Sequence, residues 1–172
     1  MLEDAPLNCR VIGDDDLTPV AKFLNMCWRV TYKGILDDGF LAGLTTENRV
    51  AILRDKMARG VRGCMVFGPD EPLLAVLMYG PTHLHATANA GEISMIYVRP
   101  GHTGTGLGHR LMRVAEAALM EDGYSNVELD AFVANEGALR FYRDNGYVKV
   151  GAKQDHIEGH TYDLDIMAKA LG

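Results

Sequence analysis

The sequence is poor in cysteine and in basic residues. Its three cysteines, Cys9, Cys27 and Cys64, are odd in number and far apart, which argues against a disulfide framework or a zinc site and favours reduced thiols in a cytoplasmic protein. The 17 basic residues are outnumbered by 23 acidic ones, and no basic run is present to neutralise phosphates. We therefore expect no nucleic-acid partner, while the net charge of −6 favours a cationic substrate.

Long apolar runs are also absent. The acidic N-terminal stretch MLEDAPLNCR lacks the apolar centre of a signal peptide, and no apolar run approaches the roughly 20 residues needed to cross a membrane. We therefore expect no membrane partner. The length of 172 residues and the apolar fraction of 48% are those of an ordinary globular protein, and they predict a single domain over residues 1–172.

Glycine is concentrated where a strand turns into a helix, in the stretch GEISMIYVRPGHTGTGLG from Gly91 to Gly108. The period-two rule divides the strand between two faces, with Ile93, Met95 and Tyr97 on one and Glu92, Ser94, Ile96 and Val98 on the other. Both faces are largely apolar, which predicts a central strand. The turn directs backbone N–H groups and a helix N-terminus at one point, which favours an anion site.

Two familiar glycine motifs do not fit this turn. A dinucleotide fingerprint requires a third glycine where His109 or Leu111 stands, and a P-loop requires Lys followed by Ser or Thr where Leu107-Gly108 stands. The stretch instead resembles the acetyl-coenzyme A signature of the GNAT superfamily of N-acetyltransferases, in which a strand ends in V-x-P and the turn reads R/Q-x-x-G-x-G/A. Here V-R-P occupies residues 98–100 and T-G-T-G-L-G residues 103–108. Thr103 stands where the family usually has Arg or Gln, so one side-chain donor to the pyrophosphate is lost.

A second family motif lies in the segment ANEGALRFYRDNGY from Ala134 to Tyr147. It resembles the GNAT pattern N-x-x-A-x-x-F/L-Y-x-x-x-G-F/Y, and every defining position is present. The resemblance implies an α/β (α+β) GNAT-like fold, in which a mixed, twisted sheet of about six to seven strands is flanked by about four helices. That sheet is split between its fourth and fifth strands, here Glu92–Val98 and Val127–Val133, and coenzyme A would lie in the split.

The resemblance also implies the ligands. Acetyl-coenzyme A would donate the acetyl group directly to a primary amine of a small molecule, a polyamine-like compound or a peptide, without a metal or an acetylated residue. The residues implied to bind acetyl-coenzyme A are Ile96, Tyr97, Val98, Thr103, Gly104, Thr105, Gly106, Leu107, Gly108, Asn135, Ala138 and Tyr142. Many members of the superfamily pair, so we expect a homodimer, with the C-terminal strand Thr161–Met167 available for pairing across an edge.

Glu92 and Tyr142 are the candidate catalytic residues. An alkyl ammonium has a pKa of about 10.4 and must lose a proton before it attacks. Glu92 would share a face with Ile96 and Val98, look into the split and act as the base through water, with Asp130 as a lesser candidate. The family match implies that Tyr142 protonates the leaving thiolate. The alternatives are a surface carboxylate at a strand end and an aromatic core residue.

Other residues have weaker support. Trp28 and Tyr32 lie in a W-x-x-x-Y-x-G-I-L segment that loosely resembles the wall of the acceptor site in bacterial GNAT members, although packing of helices onto the sheet explains them equally well. His83 and His85 are two residues apart with no HExxH or CxxC motif nearby, so we predict no metal site. Two other functions remain compatible with the motifs: transfer of longer acyl chains, and a non-catalytic acyl-coenzyme A sensor or regulatory module on the same fold.

Overall fold

A computed structural model describes residues 7–69 and 72–172. The first six residues lie outside this part, as do Asp70 and Glu71. These two belong to the stretch Gly68-Pro69-Asp70-Glu71-Pro72, for which the sequence predicts a hairpin turn between two strands. In chain order the elements are β1 (Cys9–Val11), α1 (Leu17–Thr31), α2 (Asp38–Ala42), α3 (Thr46–Ala58), β2 (Arg62–Phe67), β3 (Leu73–Pro81), β4 (Ala90–Val98), α4 (Leu107–Glu121), β5 (Asn126–Phe132), α5 (Glu136–Asp144), β6 (Val148–Ile157) and β7 (His160–Ala170).

The strands form one seven-stranded mixed sheet in the order β1-β2-β3-β4-β5-β7-β6. β4 lies in the middle, as its two apolar faces predicted. It runs parallel to β5, and the two strands pair only where Ala90–Glu92 lies beside Asn126–Glu128. Beyond Glu92 and Glu128 the two strands are no longer paired in the described sheet. The predicted mixed sheet with a split between its fourth and fifth strands is therefore confirmed.

The helices cover the two faces of the sheet. Leu111, Met112 and Ala115 of α4 pack with Leu139 of α5 and the apolar side of β5, because the helical spacing of these residues puts them on one stripe. On the other face, α1 and α3 pack against β2, β3 and β4. The short helix α2 was not predicted. It begins at Asp37, whose side chain accepts a hydrogen bond from the backbone N–H of Phe40 at 2.9 Å.

The C-terminal strand is not an edge strand. β7 lies between β5 and β6, so the prediction that Thr161–Met167 pairs across an edge is wrong. The reason is the tight hairpin between β6 and β7, where Glu158 and Gly159 both have positive φ. This turn returns the chain into the position beside β5. β6 is instead an edge of the described sheet, and its Val148 and Val150 are 63% and 45% exposed.

β4 contains a β-bulge at Ser94. Its pairing with β3 runs from Met78 opposite Met95 directly to Tyr79 opposite Ile93. Ser94 is thus an extra residue on β4, without a counterpart in the described part of β3. Such an extra residue inverts the alternation of side chains along the strand from that point on.

The bulge corrects the predicted orientation of Glu92. Ile93 packs in the same core cluster as Ile96 and Val98, below α4, whereas Met95 packs with α1 and α3. Glu92 precedes the bulge and lies on the face of Met95. The prediction that Glu92 shares a face with Ile96 and Val98 is therefore wrong, because the period-two rule does not allow for an inserted residue.

Candidate functional site

A cavity of about 800 Å³ occupies the split between β4 and β5. Its lining residues come from β4, the glycine-rich turn, β5 and α5, and also from α1, β6 and β7. The residues predicted for acetyl-coenzyme A or acceptor binding that line it are Trp28, Tyr32, Ile96, Tyr97, Val98, Thr103, Gly104, Gly106, Gly108, Asn135, Ala138 and Tyr142. Residues 110 positions apart in the sequence thus meet around one space, as Tyr32 and Tyr142 do.

Three predicted residues do not line this cavity in the described part of the chain. The Thr105 hydroxyl donates to the backbone carbonyl of His102 at 2.9 Å, which holds the turn in shape. Leu107 is partly buried against the core beneath α4. Glu92 lies at a second cavity on the α3 face of the sheet. Thr105 and Leu107 therefore stabilise the turn without lining the cavity.

The glycine-rich turn leaves the N-terminus of α4 open. Gly106 is the N-cap residue and has a φ of 83°, and Gly104 has a φ of 76°, a region that glycine adopts readily and other residues rarely do. No atom of the described residues lies within 4 Å of a Cβ built on either glycine. The first N–H groups of α4 have no side-chain cap. These groups and the positive end of the helix dipole can therefore hold a phosphate.

Gly108 has a different reason to be glycine. A Cβ on Gly108 would lie 3.0 Å from the ring of Phe141, so its absence allows α4 and α5 to approach closely. Asn135 begins α5, where its Oδ1 accepts a hydrogen bond from the backbone N–H of Ala138 at 3.2 Å. The two family motifs therefore meet at the junction of α4 and α5, and the same junction forms one wall of the cavity.

Tyr142 is half-buried in this wall. Burial raises the pKa of its phenol, and the neighbouring Tyr32 and Asp130 raise it further. The phenol therefore keeps its proton at neutral and moderately alkaline pH. A protonated phenol beside the cavity can donate a proton to an anion that forms there.

A group of aromatic side chains also lines the cavity. The hydroxyls of Tyr32 and Tyr97 are hydrogen-bonded at 2.8 Å, and burial raises the pKa of both phenols. Trp28 packs edge-on against Tyr32 with ring centroids 4.8 Å apart, and the buried guanidinium of Arg49 lies 4.4 Å from the Trp28 ring. Trp28 and Tyr32 thus line the cavity and also pack helix α1 onto the sheet, so the two interpretations of these aromatics are compatible.

The second cavity has a volume of about 270 Å³. It is lined by Lys56, Arg59, Val61, Pro81, Thr82, His83, His85, Glu92 and Ser94. Ser94 lines both cavities, so the bulge of β4 forms a wall between them. The side chains that line the second cavity therefore lie close to the part of β4 that is not paired with β5.

Glu92 is the most buried charge in this second cavity, at 3% exposure. Its Oε2 accepts hydrogen bonds from the backbone N–H of His83 at 2.9 Å and from His83 Nδ1 at 2.7 Å. Burial acts to raise the pKa of Glu92, but the hydrogen bonds and charge of His83 and the charge of Lys56 outweigh it and lower the pKa. Burial also lowers the pKa of Lys56, and Glu92 opposes that change. Glu92 is therefore a buried, ionised carboxylate.

Two further carboxylates lie on β5. Asp130 lines the main cavity and pairs with Lys153 at 2.7 Å, and Lys153 also pairs with Asp155 at 3.3 Å. Glu128 is completely buried and accepts hydrogen bonds from the Thr82 hydroxyl and from two backbone N–H groups of the loop between β3 and β4. Glu128 thus fixes this loop, and Asp130 and Asp155 place negative charge beside the cavity.

Glu128, His83 and Asp155 are site residues that were not predicted from the sequence. The acidic residues of the apolar strand VELDAFV hint at Glu128, but alternation alone would bury Val127 and Leu129 and expose Glu128, whereas the structure buries all three. No local pattern marks Asp155, which reaches the cavity only through the β6–β7 hairpin.

No helix among residues 7–69 and 72–172 is long and apolar enough to cross a membrane.

Known proteins resemble this chain in sequence and in fold. A model of a family described as "Acetyltransferase (GNAT) family" matches residues 30–147. An Arabidopsis thaliana protein, N-alpha-acetyltransferase MAK3, is 35% identical over 65 residues, which make up 38% of this chain and 34% of the plant protein. The matched region therefore spans only about a third of that relative.

Two solved structures share the fold over nearly the whole chain. The PaiA N-acetyltransferase from Thermoplasma acidophilum, in complex with coenzyme A, has a TM-score of 0.72 at 21% identity, covering 96% of this chain and 99% of its own. The spermidine N-acetyltransferase from Vibrio cholerae, in complex with coenzyme A and spermine, has a TM-score of 0.70 at 17% identity, covering 96% and 95%. At these identities the likeness establishes the fold.

Proposed function

The chain belongs to the acetyltransferase (GNAT) family, and we propose that it transfers an acetyl group from acetyl-coenzyme A to a primary amine. One observation carries the proposal. The glycine-rich turn, α5 and the aromatic wall of α1 meet around a single cavity at the split of the sheet. A split sheet with an anion-binding turn at one end provides space for a phosphate-bearing thioester and an acceptor that meets it.

We propose that the substrate acetyl-coenzyme A lies along β4. Its pyrophosphate would meet the open N-terminus of α4, where Gly104 and Gly106 leave room for close backbone contact. Its pantetheine arm would run between β4 and Asn135. The unpaired edge of β4 at Ile96 and Tyr97 would offer backbone N–H groups to the thioester oxygen, which becomes negative as the amine attacks.

Proton transfer would involve Tyr142 and the hydrogen-bonded pair of Glu92 and His83. The acceptor ammonium would lose a proton toward this pair through water near Ser94, which lines both cavities. The neutral amine would then attack the thioester carbon, and the carbon–sulfur bond would break with its electron pair on sulfur. Tyr142 would give that sulfur its phenolic proton, so that coenzyme A leaves as the thiol. The second proton, which the nitrogen loses as the amide forms, would restore the phenol of Tyr142.

The acceptor is proposed to be a cationic amine. Asp130 and Asp155 line the cavity, the net charge is −6, and the relatives include a spermidine acetyltransferase and an N-alpha-acetyltransferase. A panel of polyamines, amino acids and peptides, assayed by release of free coenzyme A thiol, tests this proposal. If calorimetry shows that acetyl-coenzyme A binds while no amine causes thiol release, the result would favour a sensor. Thr103 already favours that alternative, because it supplies no charged donor to the pyrophosphate.

Gly106→Ala tests where the pyrophosphate lies. A methyl group at Gly106 would intrude on the space at the N-terminus of α4, so we expect the Kd for acetyl-coenzyme A to rise by at least about tenfold, or 1.4 kcal/mol. Gly123→Ala is the matched control, since Gly123 also has positive φ and open space around its Cβ position but lies beyond the C-terminus of α4. Calorimetric titration measures both. Equal affinities in the two folded variants would contradict the placement.

The assembly and location are proposals as well. We propose that residues 1–172 form one cytoplasmic domain and that two copies pair through the edge strand β6, where Val148 and Val150 are exposed. Light scattering should then give twice the chain mass of 18.8 kDa. Val148→Lys should shift that mass toward the monomer, because a buried unpaired charge is costly. A monomeric wild type at micromolar concentration would contradict the pairing.

A further inference from the structure

Glu92 has no direct route to solvent, but its hydrogen-bond partner does. The side chain of Glu92 is 4% exposed, whereas that of His83 is 48% exposed. Both line the second cavity, which Ser94 separates from the split. A proton that reaches this cavity from an amine bound in the split therefore meets the imidazole of His83, which lies between the carboxylate of Glu92 and bulk water.

The hydrogen bond defines the tautomer of the histidine. An ionised carboxylate only accepts hydrogen bonds, so the proton of the neutral ring lies on Nδ1, 2.7 Å from Glu92 Oε2. The lone pair of His83 is then on Nε2, on the side away from Glu92. The backbone N–H of His83 also donates to Glu92 at 2.9 Å, so the carboxylate orients the residue at two points. A carboxylate that orients an imidazole in this way also stabilises its protonated form.

We propose that His83 takes up the proton that the substrate amine loses, and that Glu92 positions the imidazole ring. This proposal rests on the proposed acetyltransferase function. The N–H bond of the ammonium breaks and leaves its electron pair on nitrogen. The proton passes through water beside Ser94 to Nε2, and the imidazolium then releases it to solvent. Acetyl transfer itself consumes no proton from His83, because the thiolate takes its proton from Tyr142.

The ordinary pKa of an imidazole makes it a better acceptor for the proton of the amine than the carboxylate of Glu92. The hydrogen bonds from His83 hold the pKa of Glu92 below its ordinary value and therefore far below that of an alkyl ammonium, which makes proton transfer to Glu92 strongly uphill. An imidazole has an ordinary pKa near 6.5 and can take up and release a proton near neutral pH.

The charges around His83 come from three elements and the loop. Lys56 and Arg59 project from α3, His85 lies in the same loop, and Glu92 is on β4. Glu128 of β5 reaches the loop through the Thr82 hydroxyl. Carboxylates and cations therefore both surround the cavity that His83 lines.

His83→Asn separates proton transfer from positioning. The side-chain amide can still donate to Glu92, but it cannot take up a proton. We expect kcat/KM for the amine to fall by about 10²-fold near neutral pH, with unchanged affinity for acetyl-coenzyme A. The loss should shrink as pH rises and the amine deprotonates in solution. Added imidazole should restore part of the activity of His83→Ala.

The control and a direct measurement complete the test. His156→Asn makes the same change on β6, outside the residues that line the two cavities, and should stay within about twofold of wild type. In ¹⁵N NMR spectra of the neutral ring, Nδ1 of His83 should carry the proton. The opposite tautomer, full activity of His83→Asn, or a pH-independent loss without imidazole rescue would each overturn this inference alone. A wild type that acetylates no amine would overturn the proposed function and the inference with it.

Discussion

Replacing Tyr142 with phenylalanine is expected to lower kcat by about 10²–10⁴-fold, the usual contribution of a general acid. The substitution keeps the ring and its contacts in the cavity wall and removes only the hydroxyl. The need for a proton on sulfur arises only as the carbon–sulfur bond breaks. The affinity for acetyl-coenzyme A should therefore stay nearly unchanged, and kcat and kcat/KM should fall together.

The raised pKa of Tyr142 sets the pH dependence of this step. Burial and the nearby Tyr32 and Asp130 hold the pKa of the phenol above its ordinary value of 10. The protonated, donating form is therefore present at every pH below that value. A decline of wild-type activity between about pH 7 and 9 would not be explained by ionisation of this group.

Tyr147→Phe is the matched control for Tyr142→Phe. The Tyr147 ring lies 6.2 Å from the Tyr142 ring, but its hydroxyl donates to Glu116 at 3.0 Å, away from the cavity. This variant should lose some stability, since Glu116 loses a hydrogen-bond donor, and should keep its kcat. Full activity of Tyr142→Phe, or equal losses of kcat in the two variants, would remove the tyrosine hydroxyl from the mechanism.

The parts of the site that the sequence predicted are those with local causes. The turn at Gly104 and Gly106 needs positive φ within a few residues of a helix start, so the spacing of its glycines carries the information. Asn135 likewise caps the helix that immediately follows it. Each of these features depends on backbone geometry over less than two turns of helix, which a single sequence displays directly.

The features that the sequence did not predict depend on pairing between distant segments. The bulge at Ser94 is defined by the register of β4 against β3, and the only local hint is a serine in an apolar strand. The position of β7 beside β5 depends on how the β6–β7 hairpin folds back, so Asp155 reached the cavity without a sequence signal. The bulge has the larger functional consequence, because it moves Glu92 from the α4 face to the α3 face.

Replacing Glu92 with glutamine is expected to reduce kcat/KM most at neutral pH and least at high pH. Near neutral pH almost all of an alkyl amine is protonated, and the enzyme must remove that proton before attack. As the pH approaches the ammonium pKa of about 10.4, solution supplies the neutral amine instead. The Glu92 pKa lies below its usual 4.5, so wild-type Glu92 stays ionised from about pH 6 to 10 and adds no pH dependence of its own in that range.

Glutamine also changes what His83 can do. Both hydrogen bonds that His83 donates end on the single atom Oε2, and the carbonyl oxygen of glutamine can accept both from that place. The substitution therefore keeps the orientation of the ring but removes the negative charge that stabilises its protonated form. We therefore expect Glu92→Gln and His83→Asn to show similar pH-dependent losses.

The double variant decides whether Glu92 and His83 act as one unit. If the carboxylate works by positioning and stabilising the imidazole, the loss in Glu92→Gln/His83→Asn should nearly equal the larger single loss, because residues that act together are strongly non-additive. The measurement is kcat/KM against pH for the wild type, both single variants and the double variant, with the best amine of the panel. Additive losses would separate the two residues, and a pH-independent loss in Glu92→Gln would mean that Glu92 acts only by holding the loop between β3 and β4 through its hydrogen bonds with His83.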